Sequence, residues 1–349
     1  MPTLKLDNFE KLCLLGLLPE EIAVLIPSLK KFKSFEIFKN FSKGIFSFDE
    51  FTTLSLDERD FLAKSFYARS TKIIETKNDP DGTKKISLEL FDKNIIETVL
   101  LVDKERKTAC LSSQVGCPLA CKFCKTGLIG FARNLFAGEI VEQFFLLEKN
   151  VGTIDNIVFM GMGEPLLNLA NVKKAIQIFS HPKGRNFSKR RITISTAGVI
   201  EGIKSLGKIL PEIRLAVSLT TANEDLRKTL MPIAKTNPLP ELKKALQIFS
   251  QDTKRRISLE LALMHNVNTG KQFSDEVIEF ARPLKAHVNL IPWNKIPELD
   301  FESPSEKEIM FFEQNLKKAG INVTRRAKQG SDILGACGQL GKIIPENDN

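Results

Sequence analysis

The sequence has 349 residues, of which 42% are hydrophobic and 27% are charged. This balance is typical of folded globular proteins and excludes disordered and collagen-like classes. No apolar run approaches the roughly 18 residues of a membrane helix, and the run over residues 12–18 is too short for a secretory signal. Lys and Arg number 51 against 42 Asp and Glu, a net charge of +9, which suits a polyanionic partner without requiring one. We expect a cytoplasmic protein of about two domains that binds no membrane.

Residues 1–65 are predicted to form a small helical domain. Residues 20–33 have an amphipathic pattern, and Asp49 and Ser55 begin segments rich in acidic and capping residues. Phenylalanines recur every three residues between lysines, at Phe32, Phe35, Phe38 and Phe41. This pattern favours a buried aromatic stripe, and the alternative is an RNA-facing surface on which bases stack.

Residues 66–104 are predicted to form a hairpin-rich β extension. The strand-like runs cover residues 67–76, 86–91 and 95–102, and a Pro- and Gly-containing turn at residues 78–82 separates the first two. This segment leads into the main domain.

Residues 105–341 alternate between strand-like and helical patterns, and residues 342–349 form a polar tail that we expect to fray. Strands are predicted at 107–113, 155–160, 191–195, 213–218, 256–263, 287–291 and 321–325. Helices are predicted at 136–149, 170–180, 199–208, 222–229, 240–250, 270–281 and 303–319. At least six βα units in series predict an α/β fold with a parallel sheet, open or curled into a partial barrel.

Unusual residues follow the ends of the predicted strands. The loops read CPLACKFC, GMGEPLLN, STAG, SLTTAN and PWN in chain order. Because parallel strands bring their carboxyl ends to one edge of the sheet, we expect these loops to form a common site.

The cysteines indicate a metal or redox site rather than a disulfide scaffold. Cys117, Cys121 and Cys124 form a C-x3-C-x2-C motif, whose thiolates suit either zinc or an iron–sulfur cluster. Zinc would require a fourth ligand, which Cys110 could supply. Three thiolates on a cubane cluster would instead leave one iron open. Cys13 lies in an apolar run and is predicted to be a buried packing residue.

The motif resembles that of the radical S-adenosylmethionine (SAM) superfamily. The segments SSQVGCPLACKFCKTG, FMGMGEPLLN, RRITISTAG, NLIPWN and ACGQL are together similar to the RlmN/Cfr family of RNA methyltransferases, over about residues 85–341 and more weakly into the N-terminal helices. The resemblance implies a partial TIM-like (βα)6 barrel of the radical SAM type. It also implies a 4Fe-4S cluster, SAM as cofactor and an adenosine of large-subunit ribosomal RNA as substrate.

The resemblance implies roles for individual residues. Cys117, Cys121 and Cys124 would ligate the cluster. The positions matching those that bind SAM are Gly163, Glu164, Ser195, Ser218, Leu219, Thr220 and Asn294. Cys337 matches the cysteine that becomes methylated, Cys110 its resolving partner, and Glu97 the proton acceptor.

The family's chemistry explains the two additional cysteines. One SAM molecule would methylate Cys337, and a radical from a second would remove a hydrogen atom from that methyl group. The resulting carbon radical would add to the adenine ring and join RNA to protein through a methylene bridge. After loss of a proton, Cys110 would attack the Cys337 sulfur and release methylated RNA with a disulfide.

Several points stay open. The family usually has histidine at the position of Thr220, a departure that bears on target choice before it bears on reaction type. Pro165 and Trp293 favour methylation of carbon 2, as in the RlmN branch, over carbon 8, as in the Cfr branch. Transfer RNA is a possible further substrate. A non-enzymatic iron–sulfur or zinc protein that binds RNA as an assembly factor is the alternative from another class.

Partners are less well determined by the sequence. We expect RNA, an electron donor such as flavodoxin, and a monomeric state. Basic clusters support an RNA partner, although each is also compatible with an ordinary solvated surface. They lie at residues 185–191, 254–256 and 325–328.

Overall fold

A ten-stranded sheet organises the chain, and one N-terminal layer of helices packs beside it. The computed structural model describes residues 12–341. The N-terminal layer contains β1 (Leu12–Cys13), α1 (Pro19–Leu25), α2 (Lys31–Ser42), α3 (Leu56–Ser65) and β2 (Phe66–Tyr67). The amphipathic segment predicted over residues 20–33 is divided between two helices, because α1 ends before Pro27 and α2 begins at Lys31. Proline disfavours helical conformation in the residue before it, which accounts for the break.

Other predictions for this layer are confirmed. Ser55 caps α3, and its hydroxyl accepts a hydrogen bond from the Glu58 amide while the Glu58 carboxylate accepts one from the Ser55 amide. Phe38 and Phe41 are buried in the hydrophobic core, whereas Phe32 is 53% exposed. The aromatic stripe is therefore mainly a packing feature.

The predicted β extension forms three antiparallel strands. They are β3 (Thr71–Asn78), β4 (Lys84–Leu90) and β5 (Ile95–Asp103). They do not form a separate sheet, because β5 pairs with the first strand of the following unit. The extension therefore continues the main sheet beyond its parallel part.

The remaining elements alternate as predicted. They are β6 (Arg106–Cys110), β7 (Gln114–Gly116), α4 (Lys125–Leu128), β8 (Phe131–Asn134), α5 (Ala137–Val151), β9 (Asn156–Phe159), α6 (Leu169–Phe179), β10 (Ile192–Thr196), α7 (Ile200–Ile209), β11 (Arg214–Ser218), α8 (Glu224–Leu230), α9 (Leu239–Thr253), β12 (Ile257–Leu263), α10 (Lys271–Ala281), β13 (His287–Pro292), α11 (Glu306–Lys318) and β14 (Asn322–Arg325).

The sheet order confirms the partial-barrel prediction. The strands follow the order β14-β13-β12-β11-β10-β9-β6-β5-β4-β3, and every neighbouring pair from β6 to β14 is parallel. The parallel strands are rich in buried Ile, Leu and Val, as expected where helices cover the sheet. Within residues 12–341, no helix is long and apolar enough to span a bilayer.

Two predicted boundaries differ from the structure for local reasons. The strand predicted at 107–113 ends at Cys110, and residues 111–113 instead connect β6 to the short strand β7. The last helix begins at Glu306 rather than 303, because Pro304 precedes a capping box formed by Ser305 and Glu308. The tail predicted at 342–349 lies outside the described residues, and the division into domains stays a prediction.

Candidate active site

Two cavities meet in the barrel. The upper cavity, of about 190 Å³, lies at the carboxyl ends of the strands. Its lining includes most of the predicted site residues, namely Cys117, Cys121, Cys124, Gly163, Glu164, Ser195, Ser218, Thr220, Asn294 and Cys337. The lower cavity, of about 270 Å³, extends towards the amino ends of β6, β9, β10 and β11. The fold therefore brings together residues that are more than 200 positions apart in the sequence.

The cysteine loop (residues 117–124) is held by contacts on both sides. The Cys117 amide donates to the Gly130 carbonyl at 2.7 Å, and the Lys122 amide donates to the Leu230 carbonyl of α8 at 2.9 Å. The indole Nε1 of Trp293 donates to the Phe123 carbonyl at 2.9 Å. Because these bonds involve backbone groups of the loop, they position the three thiols without occupying them.

The electrostatics of the thiols fit an iron–sulfur cluster. Burial, together with the nearby Cys124 and Glu164 charges, raises the pKa of Cys117 to about 12. Burial also raises the pKa of Cys121, with smaller contributions from Cys124 and Cys117. Three neighbouring thiolates thus need a cationic partner. Within residues 12–341, no three His, Cys, Asp or Glu side chains are arranged to hold a single metal ion, but cubane thiolates bind separate irons.

Glu164 joins two strand ends beneath the upper cavity. Its side chain is buried and accepts hydrogen bonds from the amides of Ala197, at 2.8 Å, and Leu166, at 3.1 Å. Burial raises the pKa of Glu164 to about 7, although these hydrogen bonds oppose the increase. Gly163 has φ +95°, and a Cβ atom there would lie 2.4 Å from Gln114 Cβ. Glycine is therefore required at this close approach.

The loop after β11 is held by the backbone of β12. The amides of Leu219 and Thr220 both donate to the Glu260 carbonyl, at 3.0 and 3.1 Å. Thr220 has φ +61°, a left-handed conformation that is uncommon for a β-branched residue. Leu219 is fully buried in the core and is not among the described residues that line the upper cavity. Its side chain is thus unavailable to a ligand there.

The side chain of Asn294 presents a buried acceptor oxygen to both cavities. Its Nδ2 donates to the Cys337 carbonyl at 3.2 Å. Its buried Oδ1 has no hydrogen-bond partner among the described residues, although the residue lines both cavities. A buried acceptor without a donor is costly, so the upper cavity fits a ligand that carries N–H or O–H groups, as SAM does.

The C-terminal loop (residues 326–341) is fastened to the β extension. The Gly330 amide donates to Asp81 Oδ2 at 2.8 Å, and Lys85 Nζ donates to the Leu334 carbonyl at 3.1 Å. On the other side, the Lys125 amide donates to the Gly338 carbonyl at 2.8 Å. The loop therefore spans from the extension to the cysteine helix α4, with Cys337 between them.

Cys337 lies where the two cavities meet. Its side chain is exposed and lines both cavities. Burial raises the pKa of Cys337, and the Glu260 charge raises it further. Cys110 lines only the lower cavity, is buried, and has its pKa raised by burial and then by the charge of Cys337. The two predicted partner thiols are therefore neighbours.

Glu97 lies apart from this arrangement. It is 4% exposed, forms an ion pair with Lys85 at 3.0 Å and accepts a hydrogen bond from the Gly341 amide at 2.8 Å. Among the described residues that line either cavity, Glu97 does not occur. Its observed contacts hold the C-terminal loop.

Two site residues were missed in the sequence. Arg227 on α8 is fully buried, and its guanidinium donates to the carbonyls of Ala197, at 2.7 Å, and Leu219, at 3.3 Å. Burial lowers the pKa of Arg227 to about 10, and the Cys121 charge opposes this. Glu260 lines both cavities, and its Oε1 accepts a hydrogen bond from Asn289. An arginine in a helix and a glutamate in a strand give no local signal of such burial.

Comparisons with known proteins agree with this geometry. The Radical SAM superfamily model matches residues 111–272. A probable dual-specificity RNA methyltransferase RlmN of Treponema denticola is 56% identical, over 97% of this chain and 98% of the relative. The same-named protein of Treponema pallidum is 52% identical, over 94% of this chain and 96% of the relative.

A solved radical SAM methyltransferase from Sphaerobacter thermophilus has a TM-score of 0.90 and 35% identity, covering 94% of this chain and 99% of that one. These relatives favour the enzymatic interpretation over the assembly-factor alternative. The radical SAM fold implies a 4Fe-4S cluster and SAM as cofactors. The chain belongs to the RlmN family of radical SAM RNA methyltransferases.

Proposed function

We propose that the protein methylates carbon 2 of an adenosine in large-subunit ribosomal RNA, with Cys337 as the methyl carrier. The observation that carries the proposal is the position of Cys337 between two cavities, one lined by the cysteine trio and the other by Cys110. A methyl group on Cys337 would face a cofactor on one side and a base on the other.

The proposed cofactor site is the upper cavity. Cys117, Cys121 and Cys124 would hold the cluster. Backbone groups at Gly163 and the Asn294 amide oxygen would bind the polar end of SAM, and the site extends over Glu164, Ser195, Ser218, Leu219 and Thr220. When bound, the cluster would supply the electron that cleaves SAM to a 5′-deoxyadenosyl radical. The fully buried Leu219 would contribute backbone alone.

The chain's own residues would carry the methyl transfer. The Cys337 sulfur accepts a methyl group, and that methyl, after losing a hydrogen atom, bonds to the adenine ring. The adduct then loses the ring proton and its unpaired electron, which the bound cluster would accept. The Cys110 thiolate attacks the Cys337 sulfur, so the carbon–sulfur bond breaks with its electron pair on carbon and a disulfide forms. That carbon takes up a proton and becomes the new methyl group of the base. Glu97 is the proposed proton acceptor, and its contact with Gly341 supports at least a positioning role on the C-terminal loop.

The target and partners are part of the proposal. We expect a monomer in the cytoplasm that receives electrons from a flavodoxin-type donor. Transfer RNA is the second substrate to test. Thr220 has a left-handed backbone at the position where the family usually has histidine, and we propose that this loop contributes backbone groups to the cofactor site.

Mass spectrometry of adenosines provides the direct test. Anaerobically reconstituted protein would be incubated with unmodified 23S ribosomal RNA, transfer RNA, SAM and reductant. We expect 2-methyladenosine in the ribosomal RNA. Exclusive 8-methyladenosine, or the absence of any methylated adenosine from enzyme with full iron and sulfide content, would contradict the proposal.

A further inference from the structure

The lower cavity gives Cys337 a second approach, opposite the cysteine loop. Its wall includes Arg106 and Arg214, which are the first residues of β6 and β11. Ser218, at the other end of β11, lines the upper cavity instead. Arg214 and Ser218 are four residues apart on β11, which corresponds to about 13 Å along the strand. The two cavities therefore open towards opposite ends of the barrel strands.

The opening of the lower cavity is rich in cations. Four basic side chains line this cavity, namely Arg106, Arg214, Arg326 and Lys328, against the acidic Asp103 and Glu260. All four basic residues are exposed. Within residues 12–341, none of the four forms an ion pair. Several unpaired cations around one opening favour an anionic ligand.

The neighbouring Arg325, in contrast to these four residues, forms an ion pair at the surface. Its guanidinium contacts the Glu306 carboxylate, and this interaction raises the pKa of Arg325. Arg326, one residue further on, turns towards the lower cavity, and its amide donates to the Leu290 carbonyl at 2.9 Å. Of the predicted basic cluster at residues 325–328, Arg326 and Lys328 are thus the residues available to a ligand.

The size and depth of the cavity limit the ligand. A volume of about 270 Å³ lies just below the range of about 300–1,000 Å³ that is usual for small-molecule pockets. It therefore suits one nucleotide and excludes a helical segment of RNA. Enzymes that modify a base must take it out of the stack, because its ring atoms are inaccessible there.

We propose that the lower cavity receives a single extruded nucleotide of the RNA substrate, while Arg106, Arg214, Arg326 and Lys328 bind the adjoining phosphates. The inference rests on the proposed function, since it concerns how RNA reaches Cys337. The base passes Cys110 before it meets Cys337, so the resolving thiol lies on the RNA side of the methyl carrier.

The test measures RNA affinity against salt for the double variant Arg106→Gln and Arg214→Gln. Each phosphate contact contributes about 0.7–0.9 to the slope of log affinity against log salt. Two lost contacts should lower the slope by about 1.4–1.8 and weaken binding of transcribed 23S ribosomal RNA by about tenfold or more at ~0.1 M salt. The corresponding Lys variants keep the charge and should restore most of the affinity.

A matched control is available on the outer helices. The double variant Lys244→Gln and Lys318→Gln removes the same charge from exposed sites on α9 and α11, and we expect it to bind RNA like the parent. Methylation of Cys337, read as a mass increase of the purified protein, should persist in every variant. If R106Q/R214Q binds RNA with unchanged affinity and salt slope, the inference is overturned.

The two proposals fail in different ways. If the parent protein never carries a methylated Cys337, the proposed function fails, yet the RNA titration still reports on the cavity. If Cys337 is methylated but the R106Q/R214Q variant and the outer-helix control lose equal affinity, RNA docks through net charge and not through this opening.

Discussion

Two buried carboxylates show how differently the molecule treats charge in two regions. Glu142, where the extension meets α5, accepts hydrogen bonds from Arg69 Nε, Ser70 N and Thr71 Oγ1. Within residues 12–341, Glu164 at the upper cavity accepts hydrogen bonds from neutral amides alone. Glu142 therefore has a charged partner, whereas Glu164 has none in the described part of the chain.

Two arginines repeat the contrast. Arg133 forms ion pairs with Asp92 and Glu139, and these hydrogen bonds outweigh burial and raise its pKa. Arg227 is more deeply buried, yet within residues 12–341 its hydrogen bonds go only to carbonyl groups. Charge that is paired inside the fold stabilises structure, whereas unpaired buried charge is costly and is typical of functional sites. The predictions below test this distinction.

The largest effect is expected from the cysteine trio. Replacing Cys121 with Ala should abolish iron and sulfide incorporation and all RNA methylation, because a cubane with two thiolates lacks a protein ligand. Cys13→Ala is the matched control, since Cys13 is half-buried like Cys121, rather than fully buried as predicted, and lies near Glu142 instead of the cysteine loop. Iron and sulfide analysis after anaerobic reconstitution measures both. Retention of a full cluster by the Cys121 variant would remove that thiol from the ligand set.

The next effect concerns the release of product. Cys110→Ala should leave RNA covalently attached to Cys337, because the other thiols that share a cavity with Cys337 are those of Cys117, Cys121 and Cys124, which would be bound to the cluster. Gel mobility and protease mapping of the protein after incubation with ribosomal RNA would detect the adduct. The double variant Cys110→Ala and Cys337→Ala should form none. Free methylated RNA from the single variant, at the parent rate, would show that another group resolves the intermediate.

Variants of Arg227 test the role of an unpaired buried charge near the cysteine loop. Two unit charges 4 Å apart interact by about 4 kcal/mol at an effective dielectric of about 20, and the charges of Arg227 and Cys121 affect each other. Arg227→Gln should therefore lower the reduction potential of the cluster and slow methylation by about tenfold or more. Arg227→Lys keeps the positive charge but cannot donate to the carbonyls of both Ala197 and Leu219. Because these two loops line the proposed SAM site, the variant should mainly raise KM for SAM. Equal potentials in all three proteins would assign Arg227 a purely structural role.

The contrast also explains what could be predicted from the sequence. Alternating patterns and strand-end motifs sufficed for the parallel sheet and for the gathering of Cys117, Glu164 and Asn294 at one edge. The link between the extension and the C-terminal loop could not be predicted, because Asp81 and Gly330 meet only through the completed sheet. The burial of Arg227 could not be predicted either, because its hydrogen-bond partners are backbone carbonyls, which every residue type provides.

The smallest expected effect is in the paired region and concerns stability. Glu142→Gln removes the charge that Arg69 contacts and replaces one of two acceptor oxygens, of which Oε1 accepts from Arg69 and Thr71 and Oε2 accepts from Ser70. Leaving such donors unsatisfied costs about 1–3 kcal/mol, so the unfolding midpoint in urea should fall while Cys337 methylation persists in the folded protein. The matched control is Glu279→Gln at an exposed site on α10, which should leave the midpoint unchanged. If Glu142→Gln instead blocked methylation without lowering stability, paired charge would no longer mark a structural region.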